Sequence, residues 1–343
     1  MTNHVDFEID PHSKPFTHLE FKNDSDEFQF AIVSDNSGGG RAGVLPGALE
    51  MVNRLQPEFV VSLGDLIEGY TDASGAPADE ATYREWWREL DEHLEQLEMP
   101  FFFIAGNHDL NIPASVAVWR DRFGGERDYY HFRYKDVLFL MLSTEDPPKD
   151  TDALIEKDPE RAKIIDDAYH AIKDAMASGA GIDRVLELLE PIEEYLGTVN
   201  ISDDQIDYFK HVLDANTDVR WTFVMMHAPA WITPSGHELD PAKFAEIETM
   251  LADRPYTVFA AHTHKYFYNE RYGRDYITTA MTGAMNMPRH GAIDHVVWVT
   301  MTKNGPKIAN LLLNGILDKH GPVEGDHTVE FGMYHPQAAD SEG

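Results

Sequence analysis

Side chains that can bind a metal ion or transfer a proton follow five short apolar runs of this 343-residue sequence. Carboxylate and amide oxygens and imidazole nitrogens are suitable ligands for Mn, Fe, Zn or Co. The chain has no cysteine, which excludes a thiolate metal site, a disulfide and a cysteine nucleophile. The sequence therefore predicts metal-assisted chemistry at Asp35, Asp65, Asn107, His108, His227, His262 and His264.

The stretch around Asn107 shows the pattern most clearly. The apolar run Phe101–Ile104 precedes the polar residues Gly106–Asp109, which is typical of a buried strand that ends in a loop. In α/β sheets the chemistry is placed at such carboxyl ends of strands. Gly, Asn and Asp are also common turn residues, so this stretch alone fits an ordinary turn as well. We interpret Asp109 as a turn residue and not as a ligand.

The number of such strand ends favours a common site. A lone histidine after a strand is more often a packing residue than a ligand, but five polar strand ends in succession are hard to assign to chance. Two divalent cations about 3.5–4 Å apart repel each other, so a shared carboxylate between them is favoured. Parallel connections would place all five ends at one edge of a sheet.

Hydrophobic periodicity predicts the alternating strands and helices that would bring these ends together. The strand 28–33, the helix 44–55 and the strand 58–63 form a βαβ unit with one aspartate at the tip of each strand. The other predicted elements are an edge strand near 16–21, helices at about 81–97, 114–123, 202–214 and 241–252, strands at 101–104, 221–226 and 256–260, a hairpin over 129–142 and antiparallel strands over 266–313.

We expect a single domain over residues 1–343 with two additions. Residues from about 150 to 198 carry apolar positions at helical spacing and are interpreted as a helical insertion packed on the main domain. The alternative is a longer connection without a role in the site. The acidic tail, about 317–343, is rich in Gly, Pro and His and is expected to lie along the surface.

The charge balance limits the kinds of partner. Lys and Arg number 28 against 60 Asp and Glu, a formal net charge of −32, which opposes general binding of nucleic acid or of an anionic membrane. An anionic substrate would need local cations, and a bound metal cluster is the economical source. The start of the chain lacks a secretory signal and no apolar run approaches the length of a membrane span, so we expect a cytoplasmic protein. A signal removed before Met1 would leave no trace, and the sequence carries no indication of oligomeric state.

The polar strand ends also occur in the order of a known family. With their neighbours they read Asp35, Gly64-Asp65, Gly106–Asp109, His227 and Ala261–His264. In this order the sequence resembles the calcineurin-like metallophosphoesterases. The resemblance implies an α/β fold of four layers, an α-β-β-α sandwich, to which the helical insertion is an addition. It also implies two divalent or trivalent metal ions (Mn, Fe, Zn or Co) and a small phosphate-ester substrate.

The resemblance assigns a role to each ligand. One carboxylate bridges the two metal ions, two further residues hold the first ion, and three hold the second. In that order these residues are Asp65, then Asp35 and His264, then Asn107, His227 and His262.

His108 would bind no metal in such a site. It would donate a proton to the leaving group while a hydroxide that bridges the metals attacks phosphorus. The chain departs from the family where Asp-x-His is usual, because it reads Asp35-Asn36-Ser37. Serine is a poorer ligand than imidazole, so the first metal would have only three protein ligands. Ala261 replaces a common glycine, a smaller departure.

Three further residues are candidates for the site. Glu68, three positions after Asp65, either hydrogen-bonds His108, fills the gap at the first metal, or is a plain loop carboxylate. Arg41 either contacts a phosphate oxygen or is a solvated loop residue. Trp231, with His237 after it, either shapes the leaving-group pocket or packs within its loop.

These residues predict hydrolysis of a phosphomonoester or phosphodiester that depends on two metal ions, with His108 as the general acid. The alternative is a catalytically impaired metal-binding or scaffold member of the same fold, which Ser37 alone supports. His108 speaks against the alternative, since a scaffold does not need a titratable group there.

Overall fold

Two β-sheets and the helices on their outer faces make up the computed structural model. It describes residues 6–10, 12–22, 25–70, 78–148, 157–177, 184, 187–188, 199–232, 241–286 and 290–321. The strands are β1 (Phe7–Ile9), β2 (Phe28–Val33), β3 (Phe59–Ser62), β4 (Phe101–Phe102), β5 (Tyr130–Tyr134), β6 (Val137–Met141), β7 (Trp221–Met225), β8 (Tyr256–Ala260), β9 (Phe267–Arg271), β10 (Arg274–Thr278), β11 (His295–Thr302), β12 (Gly305–Leu312) and β13 (Gly315–Asp318). The helices are α1 (Val44–Leu55), α2 (Glu80–Leu94), α3 (Pro113–Phe123), α4 (Pro159–Ala177), α5 (Asp203–Ala215) and α6 (Pro241–Leu251).

Each sheet contains a block of parallel strands. In the six-stranded sheet, of order β13-β12-β11-β2-β3-β4, strands β2, β3 and β4 run parallel. In the seven-stranded sheet, of order β1-β5-β6-β7-β8-β10-β9, the parallel block is β6, β7, β8 and β10. Helices α1 and α2 provide the crossovers that connect β2 to β3 and β3 to β4.

The side chains of the two sheets produce four layers. Successive residues of a strand point to opposite faces, so an apolar strand can feed two cores. Phe30 of β2 and Phe139 of β6 meet between the sheets, with ring centroids 5.3 Å apart. The outer face of the six-stranded sheet packs on α1, α2 and α3, and that of the seven-stranded sheet packs on α5 and α6. The predicted α-β-β-α fold class is confirmed.

Two predictions about strand position are wrong. The N-terminal edge strand lies at Phe7–Ile9 and not near 16–21, where Phe16 forms only a single bridge to Phe102. The polar strand ends do not share one sheet, since β2, β3 and β4 belong to one sheet and β7 and β8 to the other. The site therefore lies across the edges of both sheets.

The two predicted additions lie partly outside the described residues. Helix α4 falls within the predicted insertion of 150–198, but most of the predicted second helix around 185–195 is not described. The predicted tail starts within β13, which pairs with β12, and residues 322–343 are not described. The single-domain assignment stays a prediction. Among the described helices, none is both long and apolar enough to cross a membrane.

A buried histidine makes the stability of this fold depend on pH. His295 accepts a hydrogen bond from the Ala280 amide (2.9 Å) and donates one to Asn310 Oδ1 (2.9 Å), and burial lowers its pKa to about 4. In the unfolded chain its pKa is about 6.5, so below that value protons bind the unfolded state preferentially. We expect the metal-free protein to lose about 2–3 kcal/mol through this residue between pH 7.5 and 4.5, as measured by urea unfolding.

The variant His295→Gln isolates this contribution, because carboxylates also titrate in this range. Its free energy of unfolding should fall less between the two pH values than that of the wild type. His211→Gln, on the exposed side of α5, serves as the control and should keep the wild-type dependence. Equal pH dependence in His295→Gln and wild type would contradict the prediction.

Candidate metal centre

The turns after the strands hold the polar residues against one another. The Asp35 amide donates to the Gly64 carbonyl (3.1 Å), and the Ser37 amide donates to the Asp65 carbonyl (3.1 Å). In the other sheet the Ala261 amide donates to the His227 carbonyl (2.7 Å). These main-chain hydrogen bonds keep neighbouring strand ends in register beyond the last hydrogen bond between the strands themselves.

Three of the predicted ligands converge on the Nε2 atom of a fourth, His227. This atom lies 3.2 Å from Asp65 Oδ2, 3.0 Å from Asn107 Oδ1 and 3.2 Å from His262 Nδ1. Ligand atoms of Asp65, His227 and His262 all lie within 4.8 Å of one another. The structure thus brings together the four residues assigned to the second metal.

The chemistry of this cluster fits a cation. The Nδ1 atom of His227 lies 2.8 Å from the Leu63 carbonyl, which only accepts hydrogen bonds, so Nδ1 carries a proton. The Nε2 atom of the neutral ring then presents a lone pair to the oxygens of Asp65 and Asn107. Lone pairs that face one another in a buried site require either a proton or a metal ion between them.

The surrounding charges favour a proton there when no metal is bound. Burial alone would lower the pKa of His227, but the Asp65 carboxylate and its hydrogen bond raise it to about 10. Burial likewise opposes ionisation of Asp65, yet His227 and His108 hold the pKa of that carboxyl well below its usual value. A metal ion must therefore displace the His227 proton at neutral pH.

We expect metal binding to release about one proton below pH 10. The apparent affinity for Mn²⁺ should then rise about tenfold per pH unit between pH 6.5 and 8.5, because the competing proton becomes scarcer. Calorimetric titration in buffers of low and high ionisation enthalpy measures the released proton directly. Equal binding enthalpies in the two buffers would rule out the displacement.

The residues assigned to the first metal form a sparser group. His264 donates from Nδ1 to the Met285 carbonyl (3.2 Å), which leaves Nε2 3.5 Å from Asp35 Oδ1. Burial would lower the pKa of His264, but the hydrogen bond and charge of Asp35 raise it. The Ser37 hydroxyl donates to the Asp65 main-chain carbonyl (2.9 Å), so Ser37 braces the loop that carries Asp65.

Backbone strain is concentrated at these residues. A positive φ is uncommon outside glycine and costs about 1–3 kcal/mol where a fold imposes it. Such angles occur at four of the six predicted ligands, namely Asp35 (49°), Asp65 (55°), His262 (70°) and His264 (50°). The fold thus maintains an unfavourable backbone where it aims these side chains.

Close backbone approach explains one glycine of the motifs. A Cβ atom at Gly106 would lie 2.2 Å from Asp65 Oδ1. The Gly106 and Asp65 amides both donate to Asp109 Oδ2 (2.8 Å each), so the buried Asp109 holds the loop, as its interpretation as a turn residue requires. Burial and the nearby Asp65 raise the pKa of Asp109 to about 7.

His108 lies beside this cluster, with its ring fixed from behind. Its Nδ1 donates to the Glu68 main-chain carbonyl and its amide donates to Asp65 Oδ1 (2.9 Å). Its Nε2 is 4.0 Å from Asp65 Oδ2. The ring of Tyr70 is edge-on to that of His108, with ring centroids 4.9 Å apart, and the Tyr70 hydroxyl accepts a hydrogen bond from Asn107 Nδ2 (3.3 Å). Tyr70 belongs to none of the motifs or periodic patterns from which the site was predicted.

The geometry corrects the expectation for Glu68. Its main-chain carbonyl, not its carboxylate, contacts His108. The carboxylate accepts from the Gly39 amide (2.8 Å) and the Gly40 amide (3.3 Å) instead. Glu68 therefore connects the glycine-rich loop (residues 38–43) to the loop that carries His108. The predicted hydrogen bond between the Glu68 carboxylate and His108 is not observed.

The structure shows packing and ion-pair partners for Trp231 and Arg41. The Arg41 guanidinium forms a two-pronged ion pair with the buried Asp294. Trp231 is a core residue that packs on Tyr276, with ring centroids 5.2 Å apart. His237 lies outside the described residues.

Comparison with known proteins agrees with this geometry. The sequence profile described as calcineurin-like phosphoesterase matches residues 28–266, which include all the predicted ligands. The chain belongs to this family. Members of the calcineurin-like phosphoesterase family use divalent metals, and the Asp65, His227 and His262 group is a possible binding site for one. No curated protein matches the chain significantly.

Solved structures share the fold at low sequence identity. PhoD has 12% identity and a TM-score of 0.54, over 87% of this chain and 73% of PhoD. A dimetal phosphatase from Danio rerio has 14% identity and a TM-score of 0.51, over 85% and 98% of the two chains. GAP50, the anchor in the inner membrane complex of Plasmodium, has 12% identity and a TM-score of 0.52, over 87% and 90%. The calcineurin-like phosphoesterase fold thus extends over most of this chain.

Proposed function

We propose that this protein hydrolyses phosphomonoesters or phosphodiesters with two metal ions and with His108 as the general acid. The observation that carries the proposal is the convergence of Asp65, Asn107 and His262 on His227 Nε2, with His108 beside them. Asp65, Asn107, His227 and His262 would hold one ion, and Asp35, His264 and the shared Asp65 the other. Bound metal ions would supply an activated water and neutralise charge on the phosphoryl oxygens.

The residues of the chain would orient the ester and handle the proton. As the oxygen of water bonds to phosphorus, the bond from phosphorus to the leaving oxygen breaks and that oxygen needs a proton. The imidazolium form of His108 can give it from Nε2 and become neutral, because the Glu68 carbonyl keeps the other proton on Nδ1. A Cβ at Gly38 would lie 3.3 Å from His264 Cε1 and 3.6 Å from His108 Nε2, so glycine at this position lets the loop approach both rings closely.

The direct test is hydrolysis by protein that has been stripped of metal and reloaded. p-Nitrophenyl phosphate and bis(p-nitrophenyl) phosphate should be turned over after addition of Mn, Co, Zn or Fe ions, and elemental analysis should find bound metal. The ratio of the two rates would also decide between monoesterase and diesterase preference. Failure to hydrolyse either ester, together with absence of bound metal, would defeat the proposal.

A second candidate is a metal-binding scaffold with impaired turnover. It is favoured by Ser37, which braces Asp65 where the family usually has a ligand histidine, and by the likeness to GAP50, described as an anchor. Such a protein would bind metal through the Asp65 and His227 group but would not hydrolyse either ester.

A further inference from the structure

The ion pair between Arg41 and Asp294 lies next to the segment that contacts Asp35 and His264, the residues assigned to the first metal. Nη1 of Arg41 donates to Asp294 Oδ2 (2.9 Å), Nη2 donates to Oδ1, and Nε donates to the Ala284 carbonyl (2.9 Å). The Asp294 carboxylate is fully buried, while a quarter of the Arg41 side chain is exposed (24%). A planar guanidinium that makes three such bonds fixes its partners in direction as well as distance.

Arg41 lies in the glycine-rich loop, residues 38–43, and Ala284 lies in the segment 282–286. Main-chain hydrogen bonds also join these two segments. The Arg41 amide donates to the Gly283 carbonyl (2.7 Å), and the Met285 amide donates to the Gly38 carbonyl (3.3 Å). A Cβ at Gly39 would lie 3.0 Å from the Met285 Cβ, so only glycine allows this approach without displacement. The side-chain hydrogen bonds of Arg41 thus reinforce a connection that main-chain hydrogen bonds also make.

This pair of segments supports Asp35 and His264 directly. The Ala284 amide donates to the Asp35 main-chain carbonyl (2.8 Å), and the Met285 carbonyl accepts from His264 Nδ1 (3.2 Å). Both ligands also have a positive φ, which needs external support. The second-metal residue His227 is braced elsewhere, by the Leu63 carbonyl.

We propose that Arg41 and Asp294 are positioning residues that hold Asp35 and His264 in place for the first metal. The inference rests on the proposed two-metal function. It gives this chain a means of retaining the first ion although Ser37 replaces the usual histidine, because a site with fewer ligands depends more on their pre-organisation. Partners of this kind typically contribute 10–100-fold to metal affinity.

The test is titration of metal-free protein with Mn²⁺, with metal content read by elemental analysis and ligand geometry by the visible spectrum of bound Co²⁺. Wild-type protein should bind two ions. Arg41→Lys and Asp294→Asn should bind one ion with nearly unchanged affinity and the other about 10–100-fold more weakly. Arg41→Lys keeps the charge opposite the buried Asp294, so it tests the inference even if Asp294→Asn fails to fold.

A matched control is the two-pronged pair of Arg133 with Asp218, whose bonds are 2.8 and 2.9 Å long. Arg133→Lys should bind both ions like the wild type. If folded Arg41→Lys also bound both ions with wild-type affinity and spectrum, the inference would be wrong. Wild-type protein that bound no ion would instead overturn the proposed function, so the two failures are distinguishable.

Discussion

Asp65→Asn should lower kcat/KM for a phosphate ester by about 10³-fold or more. Asp65 contributes an oxygen to the cluster around His227 Nε2, and its other oxygen accepts the His108 amide at 2.9 Å. An amide keeps the shape of the carboxylate but removes the negative charge that two cations would share. The loss of several kcal/mol of transition-state stabilisation corresponds to that factor. Initial rates at saturating Mn²⁺, with metal content measured on the same samples, test the expectation.

A buried carboxylate at the other end of the sheet provides the control. Glu248 of α6 accepts from the Tyr276 hydroxyl (2.8 Å), which contacts Tyr256 at the start of β8, whereas His262 follows the end of that strand. Glu248→Gln also removes a buried charge, so we expect it to lose stability while keeping metal and kcat/KM. Asp65→Asn with full activity and two bound ions would show that its charge is not shared by the metals.

The sequence predicted the strands well because their composition is extreme. The run Phe28–Val33 is apolar except at Gln29 and contributes side chains to the cores on both of its faces, so both the strand and its polar tip could be placed. The division into two sheets was not predictable from these runs. A strand end looks the same in either sheet, and the change of sheet between β4 and β5 has no local signature.

Prediction of the site from the sequence was limited for a similar reason. The candidate ligands could be selected by residue type, but the supporting contacts are made largely by main-chain atoms, which any residue carries. The Glu68 carbonyl that holds His108 is one such contact, and the Met285 carbonyl that orients His264 is another. The partner of Arg41 is Asp294, 253 residues away in sequence, so no spacing rule could find it. Sequence therefore predicts the functional groups better than their supports.

His108→Ala should slow hydrolysis in proportion to how much the leaving group needs a proton. A general acid contributes about 10²–10⁴-fold when the leaving oxygen is strongly basic, as in an alkyl phosphate ester. p-Nitrophenolate leaves readily without a proton, so the loss with its esters should be far smaller. The measurement is kcat for a series of esters of increasing leaving-group pKa, at fixed saturating metal.

His264→Ala is the informative contrast, because it removes a predicted ligand and not a proton donor. It should lose bound metal and should slow all esters in the series by similar factors, whereas His108→Ala should keep its metal. Alanine keeps the main-chain amide that donates to Asp65 Oδ1 (2.9 Å), so a leaving-group-independent loss in His108→Ala would mean that the imidazole, with Nε2 4.0 Å from Asp65 Oδ2, supports Asp65 and does not give a proton. No loss with any ester would contradict the role of His108 as the general acid.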